Sequence, residues 1–382
     1  MGADSSVISR VHLPALDALR GVAIVLVLFH NLSIFIPSGT ILDKLWNAFV
    51  EAGWVGVQLF FVLSGFLITG ILLDDRDRPR TIRAFYIRRF LRIFPLYYAL
   101  LLVYFVLVAP FVPVLQRPFT ETVWYWLYLS NGSWFAYGIL PGMGHVWSLA
   151  VEEQFYVVWP WVAVCTRPAT LARICVAIVV GSLAARGVLH ALHFPDLWLY
   201  SATICRADAL AMGALVALAL RSETWRPRLA RAARPVGVLS AIALAGLMVI
   251  THGMNRNNPL MQIWGYSLIA VGSAVLVALA ARPDTPAWLR FGALRFFGKY
   301  SYGIYLAHPP LKHIVHHFYG PRLDAMMEAR PIVTDLAFIG ALSVGAIGVA
   351  LLTWFALERP AMSLKERMAP RLAPHPETRK RE

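Results

Sequence analysis

The chain has 382 residues, of which 58% are hydrophobic and 15% charged, with a mean hydropathy of +0.61. A soluble domain carries about a quarter charged residues, so this composition excludes an ordinary water-soluble fold and predicts an all-α, polytopic membrane protein. The net charge of +14 would suit nucleic acid, but the basic residues fall in short loops between apolar runs, which is membrane topology rather than nucleic-acid binding.

Ten transmembrane helices can be read in order, over about 18–36, 53–73, 94–112, 145–165, 173–192, 204–220, 235–252, 262–281, 300–318 and 332–357. Proline, glycine and charge mark most boundaries, and several runs approach the ~20 apolar residues a bilayer crossing needs. With both termini cytoplasmic, 27 of the 35 Lys and Arg residues lie inside, which sets the orientation. Residues 1–365 read as a single transmembrane domain and 366–382 as a basic, disordered cytoplasmic tail. No internal repeat is evident. The first apolar run is long enough to span and lacks a small-residue cleavage site, so no cleavable signal peptide is expected. Cys165, Cys175 and Cys205 are too few for a disulfide framework and read as small hydrophobes.

The first span, LPALDALRGVAIVLVLFHN from Leu13 to Asn31, carries Arg20 at its entrance and His30 deep inside. At ~1.5 Å per residue, His30 lies about 15 Å beyond Arg20, roughly halfway through a ~30 Å hydrocarbon layer. An ionisable group at that depth faces a cavity or a partner. Before the third span, FYIRRFLRIFPLYY holds Arg88, Arg89 and Arg92. Arg89 and Arg92, three apart, share a helical face and can grip a phosphorylated ligand bidentately. Ordinary anchoring to anionic lipid is the plainer alternative. The outer loop 113–144 is rich in aromatics, as interfacial anchors or a partly buried re-entrant segment would be.

The fourth span opens HVWSLAVEEQFY. Glu152 and Glu153 fall about two turns into an apolar helix, where paired carboxylates are expensive, and with His145 and Ser148 they favour a functional site over a structural ion pair. Adjacent positions point ~100° apart, so one glutamate can face a site while the other pairs elsewhere. Arg206 and Asp208 enter the sixth span on nearly opposite faces, each needing a partner; Arg206 is a natural counter-ion for Glu152 or Glu153. In the ninth span His308 precedes Pro309 and Pro310, a pair expected to break or kink the helix beside a cavity. His313, His316 and His317 have helical spacing, but no metal is expected, since zinc needs three or four convergent ligands. Nucleophile-elbow, P-loop, GxGxxG and HExxH motifs are all missing.

Several of these segments, in this order, resemble the acyltransferase-3 family of integral membrane O-acyltransferases along nearly the whole chain. They are LDALRGVAIVLVLFH (16–30), GWVGVQLFFVLSGFLITG (53–70), FYIRRFLRIFPLYY (85–98), HVWSLAVEEQFYVVWP (145–160), RADALAMGALVA (206–217), YSYGIYLAHPPL (300–311) and ERP (358–360). The resemblance implies a ten-helix fold in a bacterial inner membrane. It also implies an acyl-CoA donor such as acetyl-CoA, used as substrate with no bound cofactor, and transfer to a hydroxyl of an envelope glycan or lipid-linked acceptor. On that resemblance His30 and Arg20 form the central motif, Arg89 and Arg92 the RxxR pair, and Glu152 and Glu153 the paired glutamates. One departure stands out: nine residues separate Arg20 from His30 where the family has ten. Ten helical steps leave two side chains about 80° apart, so either the helix carries a bulge near Gly21 or Arg20 does not enter the cavity of His30.

The residues agree with that chemistry. A transferase must hold donor and hydroxyl together, remove the hydroxyl proton and stabilise an oxyanion. His30 suits the base, or a covalent acyl carrier, and Arg20, Arg88, Arg89 and Arg92 face the side that holds CoA. The rival reading is a proton-coupled transporter, for which buried His, Glu and Arg are equally natural.

Overall fold

Proline in a first helical turn gives up no hydrogen bond, and Pro14 there starts the first helix, α1 (Pro14–Leu32). It continues without interruption through Arg20 and His30. Thr40 and Asp43 then close a reciprocal capping box at the head of α2 (Ile41–Ala52). The computed structural model describes residues 13–36, 39–282 and 285–369. The remaining long helices are α3 (Val55–Asp74), α4 (Thr81–Leu101), α7 (Trp147–Cys165), α8 (Pro168–Ala191), α10 (Thr203–Arg221), α11 (Trp225–Ile250), α12 (Tyr266–Ala280), α13 (Gly292–Ala329) and α14 (Pro331–Thr353). Between them lie the short α5 (Phe119–Trp126), α6 (Ser130–Tyr137) and α9 (Asp196–Ser201). No strand occurs among the described residues. The tail predicted from residue 366 lies, beyond 369, outside the described residues.

Each of the ten predicted spans falls on a helix. Eight helices among the described residues are long and apolar enough to cross a membrane; α7 and α13 are not among them. The reason is their cargo. Glu152, Glu153 and Gln154 sit in α7, and α13 carries His308, Lys312, His313 and three prolines. α7 packs on α3, and α13 on α1 and α14. The pair Pro309–Pro310 does not break α13, which stays helical from Gly292 to Ala329. The expected break is therefore replaced by two carbonyls, of Tyr305 and Leu306, that lose their helical N–H donors.

Glycine sets how closely the central helices meet. A methyl on Gly298 would lie 1.7 Å from the Asp17 carbonyl oxygen, and one on Gly21 1.9 Å from that of Leu294. The same holds where α3 meets α10: Gly65 abuts the Leu210 carbonyl and Gly213 that of Val62, at 1.9 and 2.0 Å. Such close backbone approach is how membrane helices gain packing where lipid offers no hydrophobic drive. Gly21 therefore serves the contact with α13, and the bulge expected there is absent.

The aromatic loop 113–144 folds back on the bundle. Tyr97 and Tyr98 on α4 donate hydroxyl hydrogen bonds to the carbonyls of Tyr125 (2.7 Å) and Trp126 (2.9 Å), and Tyr97 stacks on Tyr128 at 4.2 Å. Tyr125, Tyr128 and Trp134 are buried, which fits the partly buried reading of this loop rather than interfacial anchoring.

Candidate active site

Three cavities run in series along α1. The inner one, about 580 Å³, opens beside the start of α1 and is lined by Asp17, Arg20, Arg88, Arg89, Arg92, Arg221 and Lys299. It shares Arg20, Arg89 and Arg92 with a middle cavity of about 130 Å³, whose further walls include Ser64, Ser148, Glu152, Tyr156 and Tyr305. The middle cavity in turn shares Val57 and Tyr305 with an outer one of about 390 Å³ beside the end of α1, where His30, Asn31, His145, Arg256 and Lys312 lie.

At the inner end α4 supplies three arginines from one basic turn. Arg88 pairs with Asp75 at 3.5 Å. Arg89 lies 5.0 Å over the Tyr156 ring and 5.8 Å over Phe85, while Arg92 lies 5.8 Å over Trp354 and donates to the Met362 sulfur. Arg89 and Arg92 form no ion pair within 4 Å among the described residues, although Glu358 lies near Arg92 and Glu152 and Glu153 near Arg89, and both side chains border both cavities. Arg20 donates to Asp17 at 2.8 Å, one turn earlier on the same helix.

In the middle cavity Glu152 accepts from the Ser64 hydroxyl at 2.6 Å, and Tyr156 donates to the Ser64 oxygen at 3.0 Å. Tyr156, Ser64 and Glu152 thus form a chain of hydroxyls ending on a carboxylate. Glu153, about 100° round the helix, is not on the walls of these three cavities. Neither glutamate forms an ion pair among the described residues. Tyr305, on the wall between middle and outer cavities, is fixed by Ser148 (2.6 Å) and by donating to the His145 carbonyl (2.9 Å).

The outer cavity holds the histidines. His30 Nδ1 lies 3.0 Å from the Val50 carbonyl, which can only accept, so the proton is on Nδ1 and Nε2 carries a lone pair. His145 also borders this cavity, with the Leu306 backbone beside its ring. His308 is different. Its Nδ1–H donates to Ile304 O and its Nε2 accepts from Asn31 Nδ2, both at 3.0 Å, so both nitrogens are spent and the ring is buried off the cavity wall.

Of the two alternatives for the nine-residue spacing, the second holds: α1 is regular, and Arg20 and His30 line successive cavities. One sequence expectation needs correction. Arg206 is not the counter-ion of Glu152 or Glu153. It is fully buried, 4.2 Å over Tyr266 and within 5.4 to 5.8 Å of Tyr200, Trp147 and Phe61, and it donates to Gln58 at 2.6 Å. Ring faces take the place of a carboxylate. Asp208, on the opposite face as expected, pairs with Arg186 of α8 at 2.9 Å. Arg206 and Asp208 thus brace the bundle behind the cavity walls. Ser64, Tyr156, Tyr305, Arg256 and Arg221 complete the walls and were not singled out from sequence. Arg256 had no signal at all, being a lone arginine in a polar loop.

A helical bundle with arginines at one end of a cavity series and histidines at the other is a polytopic membrane protein built for chemistry in its interior. Over residues 13–355 the chain matches the acyltransferase domain family (acyltransferase-3), and it belongs to that family. It is similar to the peptidoglycan O-acetyltransferase OatA of Listeria monocytogenes, 27% identical over 326 residues, which cover 79% of this chain and 50% of that protein. The putative peptidoglycan O-acetyltransferase YrhL of Bacillus subtilis is 27% identical over 78% of this chain and 48% of its own. The O-acetyltransferase OatA of Staphylococcus aureus is 27% identical over 81% and 52%. The chain therefore spans about half the length of the curated relatives it matches. No solved structure matches it.

Proposed function

We propose that the chain moves an acetyl group from acyl-CoA, taken from the cytoplasm, to a hydroxyl of a cell-envelope glycan on the far side of an inner membrane. The observation that carries this reading is the cavity series itself, with a phosphate-ready arginine cluster at one end and an unprotonated His30 Nε2 at the other. The CoA phosphates sit against Arg88, Arg89 and Arg92 in the inner cavity, where guanidinium forks bind phosphate oxygens in pairs. The pantetheine arm runs through the middle cavity and presents the thioester at Val57 and Tyr305. The acceptor enters the outer cavity. His30 Nε2 takes the hydroxyl proton as the oxygen attacks the thioester carbonyl. The tetrahedral intermediate collapses, the C–S bond breaks, and the thiolate leaves as CoA after taking the proton held on His30, which restores the base. The Tyr156–Ser64–Glu152 hydrogen-bond chain borders the thioester's path through the middle cavity.

The test is turnover by purified protein in detergent, with acetyl-CoA and an envelope glycan fragment. Free CoA and acetylated glycan in equal amounts support the proposal. A proton-coupled carrier would release no CoA, and that result would sink the transferase reading.

A further inference from the structure

Resting on that reading, we infer that the outer cavity selects an acceptor bearing an anionic group, a carboxylate or phosphate, next to the hydroxyl that is acylated. The cavity is lined by nineteen residues, and none of them is Asp or Glu. Apart from the phenols of Tyr200 and Tyr305, its ionisable lining is basic: Arg256, Lys312, His30, His145 and His313.

Arg256 and Lys312 keep donors in hand. Arg256 lies 4.8 Å over the Tyr200 ring, and its hydrogen bond is a long one of 3.5 Å to the Tyr200 hydroxyl. It forms no ion pair among the described residues. Lys312 donates to the carbonyls of Asn31 (2.8 Å) and Ser33 (2.7 Å), capping α1, and an ammonium has three N–H bonds to give. Two acids stand nearby and neither closes the site. Asp335, near Lys312, is occupied by Ser33 Oγ, the Ile34 N–H and Trp46 Nε1, each at 2.8 Å. Glu51, near Arg256, is exposed and off the cavity wall.

Helix capping accounts for two of the Lys312 donors and ring stacking for one face of Arg256. Neither accounts for a cavity with cations on two sides and no acid between them. Charge held away from bulk water is costly without a partner, and a bound anion is the partner that fits. Trp134, Trp147 and Tyr200 on the same walls offer flat aromatic faces for the C–H side of a sugar ring. The anion has two possible sources, a carboxylate on the sugar or the pyrophosphate of a lipid carrier.

The test is equilibrium binding to the full chain in neutral detergent, which needs no turnover. One pair of probes is a glucuronate–N-acetylglucosamine tetrasaccharide and its carboxyl-reduced, neutral form. The other is a short polyprenyl pyrophosphate and the corresponding alcohol. At least one anionic probe should bind about tenfold more tightly than its neutral partner, a single charge-assisted contact's worth. That preference should shrink as salt rises, since partly exposed charges are screened. It should vanish in Arg256→Gln and return in Arg256→Lys. Preference within the first pair places the anion on the sugar, and within the second on the carrier. Equal binding of charged and neutral members in both pairs overturns the inference. So does a preference that survives in Arg256→Gln, or equal competition by ordinary anionic phospholipid. Loss of CoA release with the binding preference intact would count against the transferase reading alone.

Discussion

Adjacent side chains on a helix point about 100° apart, and His30 and Asn31 divide two tasks along that angle. Asn31 turns to α13 and holds His308. His30 turns to the outer cavity with its proton fixed on Nδ1 by the Val50 carbonyl. Replacing His30 by Ala should lower acetyl transfer by about 10²–10⁴-fold, the usual worth of a general base. Detergent stability and elution volume should stay close to wild type. A mutant keeping a tenth or more of normal turnover would make His30 structural. The donor end is tested by a paired comparison. Arg89→Ala with Arg92→Ala should raise KM for acetyl-CoA well above the value for the double Lys variant, because an ammonium cannot reproduce the fork. Equal effects of Ala and Lys would favour lipid anchoring.

At the scale of the helix, α1 shows what spacing can and cannot predict. Arg20 and His30 were legible as depth markers, since a charged residue and a histidine stand out in an apolar run. Their placement on separate cavities was not, because the angle between them depends on the nine residues counted and on where α3 and α13 meet the helix. Gly53 and Gly56 on α3's side lie against the carbonyls of Leu26 and Ala23, so the register of α1 is locked on both sides of any added residue. Inserting one alanine between Val25 and Leu26 restores a ten-residue spacing and turns everything beyond it by about 100°. His30 would then leave the Val50 carbonyl and swing toward the position Asn31 now holds. We expect nearly complete loss of activity, read as CoA release. Full activity in the insertion variant would show that the nine-residue register is not what places the histidine. The same limit explains Arg206 and Asp208. Sequence showed that each needed a partner on an opposite face; that the partners are ring faces and Arg186 follows from which helices pack there, which no local pattern encodes.

Across the whole molecule, the loops assigned to one side by counting Lys and Arg are tied to one another by hydrogen bonds and to the same end of the cavity series. Asp74, at the end of α3, is gripped by Arg221 of α10 through two bonds of 2.7 Å, and Arg76 donates to the Thr166 carbonyl. These residues fall in or at the edge of the loops 74–94, 166–173 and 221–235, all read from sequence as cytoplasmic. At the other end, Trp54 donates to the Met254 carbonyl at 2.9 Å, and Arg256 meets Tyr200, joining segments read as external. The positive-inside count and the fold therefore agree on which loops share a side, although the two draw on different physics: charge retention during insertion in one case, and packing in the other. Thiol labelling on membranes reads which side is the cytoplasm. Single cysteines at positions 80 and 228, in a chain otherwise cleared of cysteine, should resist an impermeant thiol reagent in intact cells and react once the membrane is opened. Cysteines at 120 and 256 should react from outside. The stakes reach past topology, because the inner cavity and its arginines share the side of positions 80 and 228. Labelling of position 228 from outside would put Arg88, Arg89 and Arg92 on the face where acyl-CoA is absent, and the donor would have to be sought elsewhere.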